Sequence, residues 1–166
     1  ISIQADKHCE NILLTNNYFR SASKNAISVG NETAVEIRNV FAENNVFGKI
    51  PQSIVYMTSD TDKGGKIEDV RMRNNHSEGY PCQTAFRIEQ HIINKDQIRQ
   101  TPVIWYGYFE NFTNLNVTDT GIILKSLSKK TQPVECLWFK NIQIVGTPNI
   151  IARDETRDVY LDNIGP

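Results

Sequence analysis

Glu10-Asn11-Ile12-Leu13-Leu14-Thr15-Asn16-Asn17 is a charged residue, an asparagine, a short alternating run and a closing asparagine pair. The same string returns as Arg38-Asn39-Val40-Phe41-Ala42-Glu43-Asn44-Asn45 and as Glu68-Asp69-Val70-Arg71-Met72-Arg73-Asn74-Asn75. Looser copies stand at Glu110-Asn111-Phe112, Lys140-Asn141-Ile142-Gln143-Ile144 and Arg157-Asp158-Val159-Tyr160-Leu161. A second motif is interleaved with the first: Ile1-Ser2-Ile3, Ile27-Ser28-Val29, Ile54-Val55-Tyr56, Phe86-Arg87-Ile88, Ile122-Ile123-Leu124 and Ile150-Ile151-Ala152. Its successive starts lie roughly 26, 27, 32, 36 and 28 residues apart, a spacing that marks stacked repeats.

Alternation with period two, enrichment in Val, Ile, Phe and Tyr, and flanking Asn, Gly and Ser make both motifs strands rather than helices. A unit of two or three short strands cannot bury its apolar face alone, so neighbouring units must stack to form a continuous core. The expected fold is therefore all-β, a right-handed parallel β-helix of about six coils. A sandwich would show strands every 8–12 residues with hairpin turns, a propeller four strands per blade, and a leucine-rich repeat a dense Leu pattern. None of these is present. Residues 1–166 are expected to form a single β-helix domain, the C-terminal portion of a longer helix, since the chain opens on a strand motif without an initiator Met.

The 166 residues are 39% hydrophobic and 22% charged, with a formal net charge of -1. That balance lacks the clustered Lys/Arg excess of a phosphate-tracking surface, so nucleic acid is not an expected partner. No apolar run is long enough to span a bilayer, so neither is a membrane. Cys9, Cys82 and Cys136 show no metal-ligand spacing and no disulfide framework, and buried free thiols are the expectation. No metal and no cofactor are expected. Sequons at Asn31, Asn75, Asn111 and Asn116 would suit a secreted chain, and a secreted, periplasmic or cell-surface location is expected.

Side chains alternate across a strand, so stacked units align into outward columns. One expected column is Ser2, Ser28, Val55, Arg87, Ile123 and Ile151; the next, two residues on, is Gln4, Gly30, Met57, Glu89, Lys125 and Arg153. Arg87, Glu89, Lys125 and Arg153 fall together, where they would grip the hydroxyls or carboxylates of an extended sugar chain. A solvated surface of weak cross-strand ion pairs is the plainer alternative.

The run Ile1-Ser2-Ile3, Glu10-Asn11-Ile12, Asn25-Ala26-Ile27-Ser28-Val29-Gly30 resembles the polygalacturonase-type glycosidases of glycoside hydrolase family 28. In that family an Asp-Asp pair precedes an Ile-Ser-Ile-like strand, followed one coil later by Gly-His-Gly-Ile-Ser-Ile-Gly-Ser and then by Arg-Ile-Lys. Ile27-Ser28-Val29-Gly30 is similar to the tail of the second motif, and Phe86-Arg87-Ile88-Glu89-Gln90 to a later Ile-x-Ile-Asp-Gln run. The chain departs from the family where Asn25 stands for its His and where Val55 and Met57 stand for its Arg and Lys. The resemblance implies a carbohydrate-active protein that hydrolyses a pectic or related polysaccharide by carboxylate acid/base chemistry, with the acidic pair upstream of Ile1. Substrate-binding roles are expected for Asn25, at the family's His position, for Arg87, Glu89 and Lys125 from the outward columns, and for His91, directly after Glu89-Gln90. A polysaccharide is thus the expected partner. The alternatives are a non-catalytic glycan-binding, tailspike or adhesin helix, for which self-association is also open, and a polysaccharide lyase.

Other candidates are weaker. Asp6, Glu32, Asp60 and Asp62 are scattered carboxylates, and Asp60 and Asp62 stand in Ser59-Asp60-Thr61-Asp62-Lys63-Gly64-Gly65, whose composition is that of a turn. His8 and His76 lack marked partners. Trp105, Tyr106, Tyr108 and Phe109 cluster in the long segment between the fourth and fifth coils, where closing that segment by packing is the first expectation and sugar stacking the second.

Overall fold

The structure, a computed structural model, describes residues 1–30, 32–93, 101–127 and 133–166. In chain order the strands are β1 (Ser2–Ile3), β2 (Cys9–Thr15), β3 (Tyr18–Ser21), β4 (Ile27–Gly30), β5 (Glu36–Glu43), β6 (Val46–Lys49), β7 (Ser53–Asp60) and β8 (Lys66–Ser77). They continue with β9 (Thr84–His91), β10 (Val103–Asn116), β11 (Ile122–Lys125), β12 (Val134–Val145), β13 (Ile151–Asp154) and β14 (Arg157–Gly165). The described residues contain no helix, and hence none that is long and apolar enough to cross a membrane.

Two parallel sheets hold these strands. The first runs β1-β4-β7-β9-β11-β13 and the second β2-β5-β8-β10-β12-β14, with β3 paired to β6 and β6 to β8 beside it. The chain thus visits the two sheets alternately, and each strand pairs in parallel with its counterparts one repeat before and after. Between the sheets lies one apolar core. Phe86 of β9 meets Phe109 and Phe112 of β10 and Phe139 of β12, with ring centroids 5.2, 4.9 and 5.4 Å away. All four rings are fully buried, and edge-on aromatic packing adds to the area they remove from water.

Asparagine shapes the second sheet. Asn11, Asn39, Asp69, Tyr106, Cys136 and Asp158, each following the paired residues Glu10, Arg38, Glu68, Trp105, Glu135 and Arg157, all have φ between 48° and 61°. Five residues on, Asn16, Asn44, Asn74, Asn111, Asn141 and Asn163 repeat this left-handed backbone with φ of 52–57°. Asn and Asp tolerate that conformation better than other non-glycine residues. Each such residue resets the in-out alternation, so that Ile37, Val40, Ala42, Asn45 and Phe47 all point inward along one passage of chain.

The recurring Asn of the first motif is therefore two different columns. Glu110-Asn111 and Lys140-Asn141 are copies of the closing asparagine, and the opening position in those repeats is held by Tyr106 and Cys136. Exposed ladders run along both columns: Asn39 donates to Asn11 at 2.7 Å, Asn111 to Asn74 at 2.9 Å, and Asn141 to Asn111 and Asn163 to Asn141 at 3.0 Å each. A third, internal ladder joins Asn17, Asn45 and Asn75, whose amides bond at 2.9 and 3.0 Å. The next repeat replaces it with Phe112, paired to Asn75. Buried amides are tolerated because each is bonded on both sides.

One of the sequon asparagines is closed off by burial. Asn75 is 1% exposed, which leaves no room for a glycan. Asn111 is a ladder member, and the Asn116 amide donates to Gly79 O at 3.0 Å. Asn31 lies outside the described residues.

In the first sheet, two expected columns shift by one residue. Ile27 pairs with Val55, Ser28 with Tyr56, Val29 with Met57 and Gly30 with Thr58. The outward column is Ser2, Ser28, Tyr56, Arg87, Ile123 and Ala152. Val55 and Met57 are instead fully buried core residues. At the other end Lys125 pairs with Asp154, and Arg153 is in register with the inward Leu124. In Ser53-Ile54-Val55-Tyr56-Met57 three successive buried residues precede the half-buried Tyr56, so the parity of this run cannot be read by period alone.

The long segment after β9 is not a connection closed by aromatics. It contains β10, the longest strand at 14 residues, with Phe109 inside and Trp105 41% exposed outside. The free cysteines are as expected at Cys82, which is buried, while Cys9 and Cys136 are half-buried.

Candidate functional site

β4, β7 and β9 turn their outward side chains, together with the residues leading into them, toward one groove. It has a volume of about 510 Å³ and is walled by Lys24, Asn25, Ser28, Gln52, Ser53, Tyr56, Gln83, Thr84, Arg87, Glu89 and His91, with Ile1, Ser2 and Ser23 at one end. The outward positions of β9 are Arg87, Glu89 and His91, two residues apart, which is what strand geometry requires of side chains sharing a face.

Glu89 is the centre of this trio. It is only 3% exposed. Arg87 Nε donates to its Oε1 at 2.7 Å, and His91 Nε2 lies 2.9 Å from the same oxygen. Burial by itself would lift the Glu89 carboxyl, but the hydrogen bonds from His91 and Arg87 outweigh it and hold the group below the ordinary carboxylate range. The carboxylate is thus ionised at neutral pH, and it fixes the orientation of both neighbours. Tyr56, on the adjacent strand, has its hydroxyl 3.4 Å from His91 Nε2. Burial raises the Tyr56 phenol, and the nearby Glu89 charge adds to that, so the hydroxyl stays protonated.

Four of the five expected binding residues meet here. Asn25 lines the groove while its Oδ1 accepts from Ser53 N at 3.1 Å, which ties two repeats together. Arg87, Glu89 and His91 form the floor. Lys125 pairs with Glu89 in register but does not line the groove. Tyr56, Lys24, Gln52 and Thr84 were not among the expected residues; correct parity for β7 would have exposed Tyr56 as the neighbour of Arg87.

The remaining candidates lie elsewhere. Asp60 Oδ1 accepts from the backbone N of Asp62 and of Lys63 at 2.9 Å each, which makes it the cap of a tight turn. Glu32 is exposed with φ of 77°, and Asp6 is exposed. His8 pairs with Glu36 at 3.1 Å and His76 with Thr113 at 2.9 Å, both at the surface. Among the described residues no group of three or more His, Cys, Asp or Glu is placed to hold a metal ion.

The outer face of the second sheet is of another kind. Charges of opposite sign face each other across strands, as in Arg38 with Glu10, Arg73 with Glu43 and Arg157 with Glu135. Along it Trp138 and Tyr160 stack and Tyr106 meets Trp138 at a tilt of 50°, with Arg71 5.5 Å above the Tyr106 centroid. These exposed pairs add little individually.

No known family profile matches the chain, and no curated protein matches it.

Proposed function

We propose that this chain is a right-handed parallel β-helix of the carbohydrate-active kind, and that it seats an extended polysaccharide along the groove above β4, β7 and β9. Three features support closure into a helix. The chain alternates between two parallel sheets, the left-handed residues bend each passage at the same two places, and parallel crossovers are right-handed in about 98% of cases. The groove carries the functional proposal. Its walls are hydroxyls, amides, one aromatic platform and a fixed Arg-Glu-His set, a combination that suits sugar hydroxyls along a strip of stacked strands.

Hydrolysis in the manner of the polygalacturonase-like family is the activity proposed for this groove. Ser28 and Gly30 match that family's Ile-Ser-Ile-Gly frame, and the positions paired to them, where its Arg and Lys would face outward, carry Tyr56 and Thr58. Acid/base hydrolysis with inversion needs one protonated carboxylic acid and one carboxylate about 6.5–9.5 Å apart. Glu89 suits only the ionised role. That it is the one carboxylate among the described groove residues favours, as a second reading, recognition of glycan without cleavage. A secreted or cell-surface setting accords with either.

Calorimetric titration with a panel of plant and bacterial oligosaccharides, alongside a reducing-end assay, tests both. Binding weakened at least tenfold by Tyr56→Ala is expected. Binding without new reducing ends selects recognition, and release of unsaturated products absorbing in the ultraviolet selects a lyase. No binding by any member of the panel would sink the groove as a glycan site.

A further inference from the structure

The groove is flanked at the edge of the first sheet by the corner residues Ser23, Lys24, Gln52 and Gln83. Backbone bonds carry the repeats in register around the corner toward β3 and β6: Gln52 N to Lys24 O at 3.0 Å, Thr84 N to Gln52 O at 2.9 Å, Gln83 N to Pro51 O at 3.1 Å and Ala22 N to Lys49 O at 3.1 Å. Beyond that corner lie two adjoining depressions. One, of about 410 Å³, is an apolar shelf formed largely by Ala22, Ile50, Pro51, Tyr80 and Pro81. The other, of about 460 Å³, is lined by Tyr18, Arg20, Ser21, Lys49, Glu78 and Tyr80.

Its charges are unequal. Arg20 and Lys49 are both exposed, and neither makes an ion pair among the described residues. Lys49 Nζ instead rests 5.4 Å from the Tyr80 ring centroid. The one carboxylate, Glu78, is engaged by the Tyr18 hydroxyl at 3.0 and 3.2 Å, and that bond raises the Tyr18 phenol. Gly48 lets the backbones approach here, since a Cβ at that position would collide with the Arg20 carbonyl oxygen. Two cations therefore stand over an aromatic and proline shelf, beside a groove whose residues suit sugar. A planar guanidinium grips carboxylate or sulfate oxygens in pairs, an ammonium adds a point charge, and an aromatic face takes the C–H face of a pyranose.

We infer that this corner, formed by Arg20, Lys49, Tyr80 and Tyr18, is a second saccharide subsite selective for an acidic sugar unit, one bearing a carboxylate or a sulfate. The inference rests on the groove being a glycan site, because the shelf adjoins that groove along the chain, with Ala22 next to Ser23 and Pro51 next to Gln52. A chain lying across Gln52 and Pro51 would place its acidic substituent at Arg20 and Lys49.

The test titrates the full 166-residue chain with three oligosaccharides of equal length: neutral, uronate-bearing and sulfated. Arg20→Gln/Lys49→Gln, both at exposed positions, is expected to weaken an acidic ligand about tenfold and the neutral one less than twofold, in line with two solvent-exposed charge contacts. Loss for the uronate alone assigns a carboxylate, and loss for the sulfated ligand alone a sulfate. Glu78→Gln, which removes the repelling charge, is expected to tighten the acidic ligand severalfold. Unchanged acidic-ligand affinity in the double variant, with Tyr56→Ala still weakening binding, overturns the subsite and leaves the groove standing. Equal losses for neutral and acidic ligands overturn its selectivity, and no binding of any ligand to the unaltered chain removes groove and subsite together.

Discussion

Replacing Arg87 by Leu removes the guanidinium from a carboxylate that has almost no water to fall back on. The Glu89 side chain is 4% exposed and that of Arg87 45%, so the pair is lopsided: the cation is solvated without its partner, the anion is not. A hydrogen bond to a charged group contributes about 1.5–3 kcal/mol, and the exposure of Arg87 lowers that. A loss of about 1–2 kcal/mol at pH 7 is expected, which for a domain of this size is a fall in Tm of about 2–8 °C. The pH dependence is the sharper test. Glu89 is held below its ordinary value in the folded chain, so its stabilisation is present above the unfolded carboxyl range and lost as pH falls through the folded value. Without Arg87 only the His91 bond opposes burial, so the carboxyl rises from its depressed value, and protonation then relieves part of the defect. The gap between the unaltered chain and Arg87→Leu is therefore expected to be full at pH 7 and to shrink toward zero as pH falls through the depressed folded value of Glu89. Adding Glu89→Leu is expected to recover most of the loss at pH 7. Thermal melts by circular dichroism across pH 3–8 measure both. A gap that stays constant over that range, or a double variant no more stable than Arg87→Leu, would refute the argument that a buried carboxylate stripped of one of its two donors is the source of the loss.

Phe86→Ala, which empties the contact among Phe109, Phe112 and Phe139, is expected to cost about 3–5 kcal/mol in chemical denaturation; a cost below 1 kcal/mol would mean the two sheets are not held by that cluster. Burial pushes the Cys82 thiol up to about 11 from 9.0, so the folded chain keeps a proton that the unfolded chain has released. Stability from this group is full below pH 9 and falls by about 2–3 kcal/mol as pH rises to 11, a slope that Cys82→Ala should abolish when the two proteins are compared between pH 8 and 11. Cys136 has φ of 57° in a column otherwise held mostly by Asn and Asp. Cys136→Asn is expected to raise stability by about 0.5–1 kcal/mol, given the 1–2 kcal/mol cost of that backbone for most residues, and an unchanged or lower denaturation midpoint would count against the strain.

Sequence showed the two strand motifs, their spacing and their parallel stacking because each repeat must solve the same burial problem, and the same residue types solve it. It misplaced parity where that constraint relaxes. Ile54 and Val55 are both buried, so at Ser53-Ile54-Val55-Tyr56-Met57 the period-two signal does not say which residue faces out, and Tyr56 was hidden behind Val55. The two asparagine columns merged for a related reason. Both demand the same left-handed backbone, both favour Asn, and the positions that would separate them in later repeats are Tyr106 and Cys136, residues with no such preference. Arg87, Glu89 and His91 were legible as one face because a strand places alternate residues together by construction. The burial of Glu89 was not, since an outward position in a sheet is ordinarily wet; here Arg87 and His91 bond to it from either side along the same strand, and Lys125 occupies the next strand in register.

The site therefore depends on two properties of the repeat acting together. Register brings Tyr56 beside Arg87 and Ser28 beside Tyr56, so a ligand lying across the strands meets a new side chain every 4.7–4.9 Å. Alternation gives each strand only every second residue to offer, so chemistry richer than one group per strand must come from the corners, where the chain turns out of the sheet and several successive residues face solvent. Lys24, Asn25, Gln52 and Gln83 stand at such corners, and they line the groove together with Ser53 and Thr84, the buried first residues of β7 and β9. Variation in ligand preference between proteins built this way should accordingly concentrate at the corners and at the outward positions beside them, while Ile27, Val55 and Phe86, paired inside the same strands, answer only to packing. In this chain the corner residues are polar where they meet the groove, at Lys24, Asn25, Gln52 and Gln83, and become apolar, aromatic and cationic beyond it, at Ala22, Pro51, Tyr80, Arg20 and Lys49, and that gradient is what gives the surface a direction.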